Sequence, residues 1–479
     1  MSCLIAAPCS GSGKTLVSLA LAAIARHRGA KVQTFKVGPD YLDPQLLGEV
    51  SGAMCRNLDP LLCGSDWVKS TFHWHASGAD CVLVEGVMGL FDGRGPTAEG
   101  SSAQVAELLD LPVVLVVEAS RQAGSVAALV RGFRDHGPPR VRLAGVVLNR
   151  VGSERHRALL EEALAAIGVT LLGALPPHPA LELPSRHLGL LPPREVADLR
   201  ARVQDWIHLA ETHLALDRFW PLLAPAPAPT ETSDPIQAAI ARAQHHRPAA
   251  TGGQGRWARP GRGPVVIAQD QAFHFLYPEI SELLTALGLR VHPWSPLADD
   301  PLPDPCGAVV LPGGYPELHG AALAAAQRSR VSLAAAHQAG VPILAECGGL
   351  LYLGRALVDA HGATWPMAGI LPFEARPGVL SLGYRQACAQ RDGLVVGAGE
   401  HFMGHEFHRW QLHPCDPTPA GPSLWQLEGW GVERSLEGWT TPTLHASWLH
   451  LHWGGFPRIP WRLAAAIAGD GTPPRGGDS

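Results

Sequence analysis

The chain has 479 residues, more than one hydrophobic core usually supports, so two or more domains are expected. Its composition, 46% hydrophobic, is ordinary for a soluble α/β protein, and a formal net charge of −5 offers neither a nucleic-acid footprint nor a polybasic membrane surface. Nine scattered cysteines without a paired CxxC spacing read as reduced thiols, not as a disulfide framework or a zinc site.

No apolar run reaches the roughly 18 residues of a membrane span. The opening "MSCLIAAPCSGSGKT" lacks the basic n-region of a secretory signal, so a cytoplasmic location is the expectation. Residues 2–7, "SCLIAA", are a short buried-strand candidate. After a glycine-rich turn, "TLVSLALAAIARHRG" reads as a helix ending near Gly29. "KVQTFKVG", "DCVLVEG", "PVVLVVEA" and "LAGVVLN" are further strands, separated by helical stretches such as "SSAQVAELLD" and "ERHRALLEEALAAIG". Near-continuous Val/Leu strands alternating with helices predict a parallel sheet covered on both faces.

Between residues 222 and 263, stretches rich in Pro, Gly and Ala bracket a short helix candidate, "IQAAIARAQ". This segment reads as a linker between a first domain at 1–221 and a second at 264–470, with a flexible tail at 471–479. The second domain opens a new α/β series with "PVVIAQD", "GLRVHPWS", "GAVVLPGG" and "VPILAEC", followed by a Trp-rich part. No internal repeat or heptad array is present.

"PCSGSGKT" lies between a strand and a helix, the context of a phosphate-binding P-loop. Backbone N–H groups from Ser10 through Gly11, Ser12 and Gly13 to Lys14 would wrap phosphate oxygens. Lys14 would reach the outer phosphates, and the Thr15 hydroxyl would hold Mg²⁺. Pro8 stands where the common pattern has Gly. Mg²⁺ needs further oxygen ligands. Candidates are Asp40 with Asp43 in "KVGPDYLD", and Glu85 with Asp92 in "VEGVMGLFDG". They follow strand C-termini, which converge on one crevice in an open parallel sheet. Asp43, before Pro44, and Asp92, before Gly93, are equally natural turn formers. Asn149, ending "LAGVVLN", is a candidate for the nucleotide base or simply closes its strand.

In "PILAECGGLLYL" a buried strand runs up to Cys347 and turns on Gly348 and Gly349. A thiol there meets the N-terminus of the following helix, which favours a thiolate, and the glycines allow a sharp turn. The turn "LPGGYPE" offers N–H donors from Gly313 and Gly314 for an oxyanion. The base should be a distant histidine, and "HASWLHLHWG" supplies His445, His450 and His452. In an extended strand His450 and His452 would share a face. "HFMGHEFHR" crowds His401, His405 and His408 with Glu406, but HExxH is absent, and a strand or turn is expected rather than a zinc helix.

Jointly these motifs resemble the cobyrinic acid a,c-diamide synthases, glutamine-dependent amidases of corrin-ring synthesis related to the hydrogenobyrinic acid and nickel-sirohydrochlorin a,c-diamide synthases. "FKVGPDYLDP", "NLDP", "VEGVMGLFDG", "LPSRHLGL", "AFHFLYPE", "LPGGYPELH", "AECGGLLYLG" and "GHEFH" look like the family's blocks, in the family's order, over most of the chain. The resemblance implies an N-terminal P-loop domain like that of dethiobiotin synthetase, which accounts for Pro8. It also implies a C-terminal class I glutamine amidotransferase domain. There Cys347 is the nucleophile and His450, in a "YLH"-like motif, the base, with the third triad member unassigned. Asp40, Tyr41, Leu42, Asp43, Glu85 and Asp92 fall on positions tied to nucleotide, metal or substrate. Relatives usually have Asp where this chain has Glu118.

The implied reaction amidates the a and c acetates of cobyrinic acid with ammonia from L-glutamine, using ATP and Mg²⁺, in a monomer or homodimer and without nucleic acid or membrane. Cations for a polycarboxylate would come from Lys36, Arg56, Arg94 or Arg186. The rival ring substrates are hydrogenobyrinic acid and nickel-sirohydrochlorin. A rival of another class, a P-loop partition or switch ATPase, predicts nucleotide-dependent dimerisation or DNA binding and leaves Cys347 and His450 without a purpose.

Overall fold

The computed structural model describes residues 2–183, 185–186, 189–190, 192–225, 233–245, 263–415 and 423–469. The chain divides into two compact units, Met1–Pro235 and Ile236–Ser479. Much of the expected linker, and the expected tail, lie outside the described residues.

The first unit is built on β1 (Cys3–Ala6), β2 (Val32–Val37), β3 (Arg56–Leu58), β4 (Cys81–Glu85), β5 (Pro112–Glu118), β6 (Arg142–Asn149) and β7 (Leu171–Ala174). They form a sheet in the order β3-β2-β4-β1-β5-β6-β7, every pairing parallel. Successive strand side chains point to opposite faces, and both faces are covered. Leu4, Ala6, Val82, Val84, Val113 and Leu115 belong to one core cluster, while Cys3, Ile5, Leu83, Val114 and Val116 belong to the other. This is why these strands read as unbroken apolar runs. Helix α1 (Lys14–His27) is buried along nearly its whole length in the second cluster, beside Trp206 and Ala210 of the helix Leu199–His213. The helix Leu216–Leu223 carries Phe219 and Leu223 into the same cluster, so the first unit's core continues past residue 221. Helix α2 (Leu42–Ser51) follows β2, and a short antiparallel pair, β8 (Ser185–Arg186) and β9 (Gly189–Leu190), comes after β7.

The second unit contains β10 (Val265–Ala268), β11 (Val291–Trp294), β12 (Ala308–Leu311), β13 (Ile343–Glu346), β14 (Ala356–Val358) and β15 (Thr364–Pro366). It continues with β16 (Phe373–Ala389), β17 (His401–Pro414), β18 (Ser423–Gly429), β19 (Val432–Thr441) and β20 (Leu444–Ser447). One half of its sheet, β11-β10-β12-β13-β20, is parallel. The other half, reached through β19, is mostly antiparallel, and β17 pairs along β16 outside the main order. The α/β series expected from the sequence supplies β10, β11, β12 and β13 of the parallel half, and β20 was not among the strands expected. Among the described residues no helix is long and apolar enough to cross a membrane.

Candidate functional site

In the first unit, the loop after β1 is shaped by Gly11 and Gly13, with φ of 82° and 104°. A Cβ on Gly13 would lie 2.3 Å from Asn149 Nδ2, so this position requires glycine for space as well as conformation. Asn149 closes β6 beneath the loop: its Nδ2 donates to the Ser12 carbonyl at 3.0 Å, and its Oδ1 accepts from Arg150 N–H at 2.9 Å. Both ends of that amide are engaged by backbone, so here Asn149 braces the loop. Ser12 Oγ donates to the Cys9 carbonyl at 2.9 Å.

Lys14 opens α1, and burial, then the neighbouring Lys36 charge, lower its pKa. Thr15 Oγ1 donates to Glu85 Oε1 at 2.7 Å. Glu85 stands opposite Lys36 in the β2–β4 register, and Lys36 Nζ reaches Glu85 Oε1 at 2.6 Å, Asp43 Oδ2 at 2.5 Å and the Gly86 carbonyl at 3.1 Å. Asp40 Oδ2 lies 3.9 Å from the same ammonium. The parallel sheet thus delivers Lys14, Thr15, Lys36, Asp40, Asp43 and Glu85 to one place.

Asp40 also shapes the turn into α2, its Oδ1 accepting from Leu42 N–H and Asp43 N–H at 2.9 and 3.1 Å. Tyr41 is the N-cap of α2 and Leu42 its buried first residue. Asn57, which the sequence reading passed over within "NLDP", pins this turn by donating to the Gly38 and Asp40 carbonyls at 2.8 Å each. Asp92 is occupied locally, accepting from Gly89 N–H at 2.8 Å.

Burial opposes the charge on Lys36, but Asp43, Glu85 and Asp40 outweigh it and hold the ammonium above its ordinary range. Burial likewise opposes ionisation of Asp43, yet Lys36 keeps it below the usual carboxylate value. Asp40, half-buried beside Asp43, is pushed up to about 7 by desolvation and by that neighbouring charge. The expectation that Lys36 meets a polycarboxylate substrate is therefore corrected: at 1% exposure it is the internal counter-ion of three acids. Arg94 pairs with Glu99 at the surface, Arg56 is buried, and the Arg186 side chain lies outside the described residues. Removing one partner of a buried pair leaves uncompensated charge. Lys36→Ala should destabilise the first unit by about 3–5 kcal/mol in magnesium-free denaturant titrations, and an unchanged midpoint would contradict the pairing.

Three carboxylates and a hydroxyl form a hard-oxygen donor set of the kind that suits Mg²⁺. Lys36 and Thr15 both engage Glu85 Oε1, and Oε2 is left buried without a hydrogen-bond partner. The donor chemistry suits the cation, although among the described residues no three His, Cys, Asp or Glu side chains are grouped to hold a metal ion.

In the second unit, β13 carries the chain into Cys347, whose φ of 49° and ψ of −104° are strained for a residue with a Cβ. Its N–H donates to the Ser447 carbonyl at the end of β20, at 2.8 Å. The next two residues must be glycine because the loop after β12 comes so close. A Cβ on Gly349 would lie 2.1 Å from the Leu311 carbonyl oxygen, and one on Gly348 would lie 2.9 Å from Gly314 N. Gly313 in turn abuts His450: its Cβ would fall 2.4 Å from His450 Cε1 and 3.3 Å from Nε2. Cys347, Gly313, Gly314 and His450, three separate segments in sequence, therefore converge.

His450 is fully buried and exchanges backbone hydrogen bonds with His405 of β17, at 2.9 and 3.0 Å. This is a single bridge, not a strand, so the expected sharing of a face by His450 and His452 does not hold. His452 instead packs on the Tyr277 ring, 4.4 Å between centroids, with its Nε2 3.7 Å from Glu279 Oε2. His445 lies buried in β20 against Trp425. Residues 401–414 are β17, as a strand reading anticipated, and Glu406 there is held by Arg385 at 2.7 Å and His408 at 2.9 Å.

Burial, and next the charge of Glu317, push the Cys347 thiol well above its usual range. Burial, reinforced by His405 and His408, pulls His450 down to about 3. At neutral pH Cys347 is a thiol, its Sγ donating to the Phe407 carbonyl at 3.4 Å, and His450 is a neutral imidazole packed on Gly313. Such an imidazole is an acceptor for the thiol proton, which is what attack on an amide carbonyl requires.

Residues 3–191 match the family model described as the CobQ/CobB/MinD/ParA nucleotide binding domain, and residues 264–457 match the CobB/CobQ-like glutamine amidotransferase domain. The chain is 42% identical to a cobyrinate a,c-diamide synthase of Gloeobacter violaceus, over 99% of this chain and 100% of that protein. It is also 42% identical to a hydrogenobyrinate a,c-diamide synthase of Streptomyces coelicolor, over 96% of each. A cobyrinate a,c-diamide synthase of a Synechococcus strain is 39% identical over 95% of this chain and 96% of its own. With both units matched and the identity sustained from end to end, this chain belongs to the cobyrinate and hydrogenobyrinate a,c-diamide synthase family.

Proposed function

We propose that the chain converts the a and c acetate carboxylates of cobyrinic acid into amides, hydrolysing glutamine in its second unit and using ATP in its first. The chain is a glutamine-hydrolysing ligase of cobalamin biosynthesis. The observation that carries the division of labour is the convergence of Cys347, Gly313, Gly314 and His450 in a chain that also holds a complete phosphate loop.

Cys347 Sγ attacks the side-chain amide of glutamine as His450 takes its proton, and His450 returns that proton to the departing ammonia. N–H groups at Gly313 and Gly314 receive the developing oxyanion. Water then releases glutamate from the thioester. A carboxylate does not accept ammonia, because oxide is a poor leaving group. Phosphoryl transfer from ATP gives an acyl phosphate, and ammonia displaces phosphate from it. The Ser10–Lys14 loop grips the phosphates with its N–H groups, and Lys14 stabilises the charge that builds in transfer. Thr15, Asp40 and Glu85 would hold Mg²⁺, which supplies further neutralisation of phosphate charge. Asn149 serves this scheme by holding the loop in shape.

The raised thiol and the depressed imidazole make a testable signature. Thiolate forms only at high pH, so alkylation of Cys347 by iodoacetamide should accelerate with pH well beyond neutrality. A rate plateau in mild acid would mean a preformed thiolate–imidazolium pair and would contradict the neutral resting site.

Hydrogenobyrinic acid is a second reading for the ring, favoured by the equal identity to the Streptomyces coelicolor relative. Supplying purified protein with glutamine, ATP and each macrocycle, and following products by mass spectrometry, decides between them. Two successive acid-to-amide mass changes on cobyrinic acid are expected. Turnover of the metal-free ring alone would move the assignment to that substrate, and no amide on either would refute the proposal.

A further inference from the structure

A histidine base works only if its proton sits on the far nitrogen, and something must keep it there. No acid lies close after His450 in the chain, where Leu451, His452, Trp453 and Gly454 follow. The acidic and imidazole groups that bear on the buried thiol and imidazole are Glu317 after the Gly313–Gly314 turn, Glu346 on β13, and His405, Glu406 and His408 on β17. Glu406 is committed to Arg385 and His408. Glu346 differs: its Oε2 lies 3.7 Å from His450 Nδ1, and its Oε1 accepts from Leu451 N–H at 3.4 Å. It therefore engages both the ring of His450 and the backbone just after it. It is also covalently next to the nucleophile, one residue before Cys347 on β13. With Nδ1 toward Glu346, the Cε1–Nε2 edge of the ring is the edge packed against Gly313.

We propose that Glu346 is the positioning residue of the glutaminase site, orienting His450 through Nδ1 and balancing the imidazolium that forms when Cys347 gives up its proton. This rests on the assignment of Cys347 and His450 given above. The step is balanced within the pair: the thiol proton moves to Nε2, Nδ1 keeps its own proton directed at the carboxylate, and the Nε2 proton leaves on ammonia. Without a nearby anion, a buried imidazolium would be too costly to form. The carboxylate also joins the base to the nucleophile mechanically, because any shift of the Cys347 turn moves Glu346 with it. Ionised Glu346 is the stronger acceptor for Nδ1–H and the only form whose charge balances the imidazolium. Burial pushes its carboxyl up to about 8, so the competent form gains population as pH rises toward that value.

The test compares glutaminase kinetics of the full-length wild type, Glu346→Gln, Glu346→Asp and His450→Ala, with ammonia-driven synthesis measured in the same preparations. Glu346→Gln should lower kcat by about 10²-fold with KM for glutamine and ammonia-driven synthesis unchanged. Glu346→Asp should recover part of the loss. The rise of wild-type kcat with pH toward about 8 should vanish in Glu346→Gln. Wild-type kcat and pH profile in Glu346→Gln would overturn the proposal, as would a parallel loss of ammonia-driven synthesis that Glu346→Asp fails to relieve. Full glutaminase activity in His450→Ala would instead overturn the underlying assignment of the base.

Discussion

Cys347→Ser protein is expected to lose glutamine-driven synthesis by on the order of 10³-fold or more while ammonia-driven synthesis continues at the wild-type rate. The loss follows from the base. Burial keeps His450 a weak base, and an alcohol, far less acidic and less nucleophilic than a thiol, gives up its proton to such a base much less readily. The retention follows from the architecture. The phosphate loop, Lys36 and its three acids all belong to the first unit, whose two core clusters contain no residue of the second. Parallel rate assays with glutamine and with ammonium salt at alkaline pH, where free ammonia is abundant, check both halves. Equal loss with either nitrogen source would mean that the two chemistries are not separable.

Lys14→Ala should give the mirror image. Synthesis is expected to fall by about 10³-fold with either nitrogen source, because Lys14 opens α1 at the phosphate loop and is the cation of the Ser10–Lys14 segment that would meet the outer phosphates. Lys36 cannot substitute, since Asp43, Glu85 and the Gly86 carbonyl hold its ammonium beneath the acids. Glutamine hydrolysis without ATP should persist, because Cys347 and His450 sit in a unit with its own core. Hydrolysis and synthesis measured side by side check this; synthesis at the wild-type rate would remove Lys14 from the mechanism.

What could be read from the residues was whatever depends on local pattern. The apolar strands of the parallel sheets, the glycines that open α1, and the Cys347 turn are written in contiguous stretches, and the structure has them where the pattern puts them. The ion pair of Lys36 was invisible for the opposite reason. A lysine in "KVQTFKVG" reads alike whether it faces solvent or a crevice, and only the β2–β4 register sets it opposite Glu85. Asn149 was read as a contact for the nucleotide base or as a strand closer, because its position was legible but its partner, the Ser12 carbonyl, was not. In β16, Pro377, Gly378 and Gly383 interrupt the alternation that marks a strand, and the register slips between Pro377 and Ser381. A long antiparallel element therefore left no clear trace. His450 and His452 were placed on one face by strand geometry that the chain does not adopt there. Glu346 lay in plain view within "AECGG", yet its meaning depends on Leu451 and His450, which fold back from the far end of the unit.

Release of nitrogen by a sulfur nucleophile, and conversion of a carboxylate oxygen into a leaving group by ATP, each leave an isotopic record. A single labelled turnover reads both. Substrate carrying heavy oxygen (18O) in its reacting carboxylates is mixed with ATP and with glutamine carrying heavy nitrogen (15N) in its side-chain amide, and both products are weighed by mass spectrometry. Heavy nitrogen is expected in each new amide, together with a heavy oxygen delivered from the carboxylate to inorganic phosphate. Amides formed without transfer of that oxygen to phosphate would contradict that role for ATP.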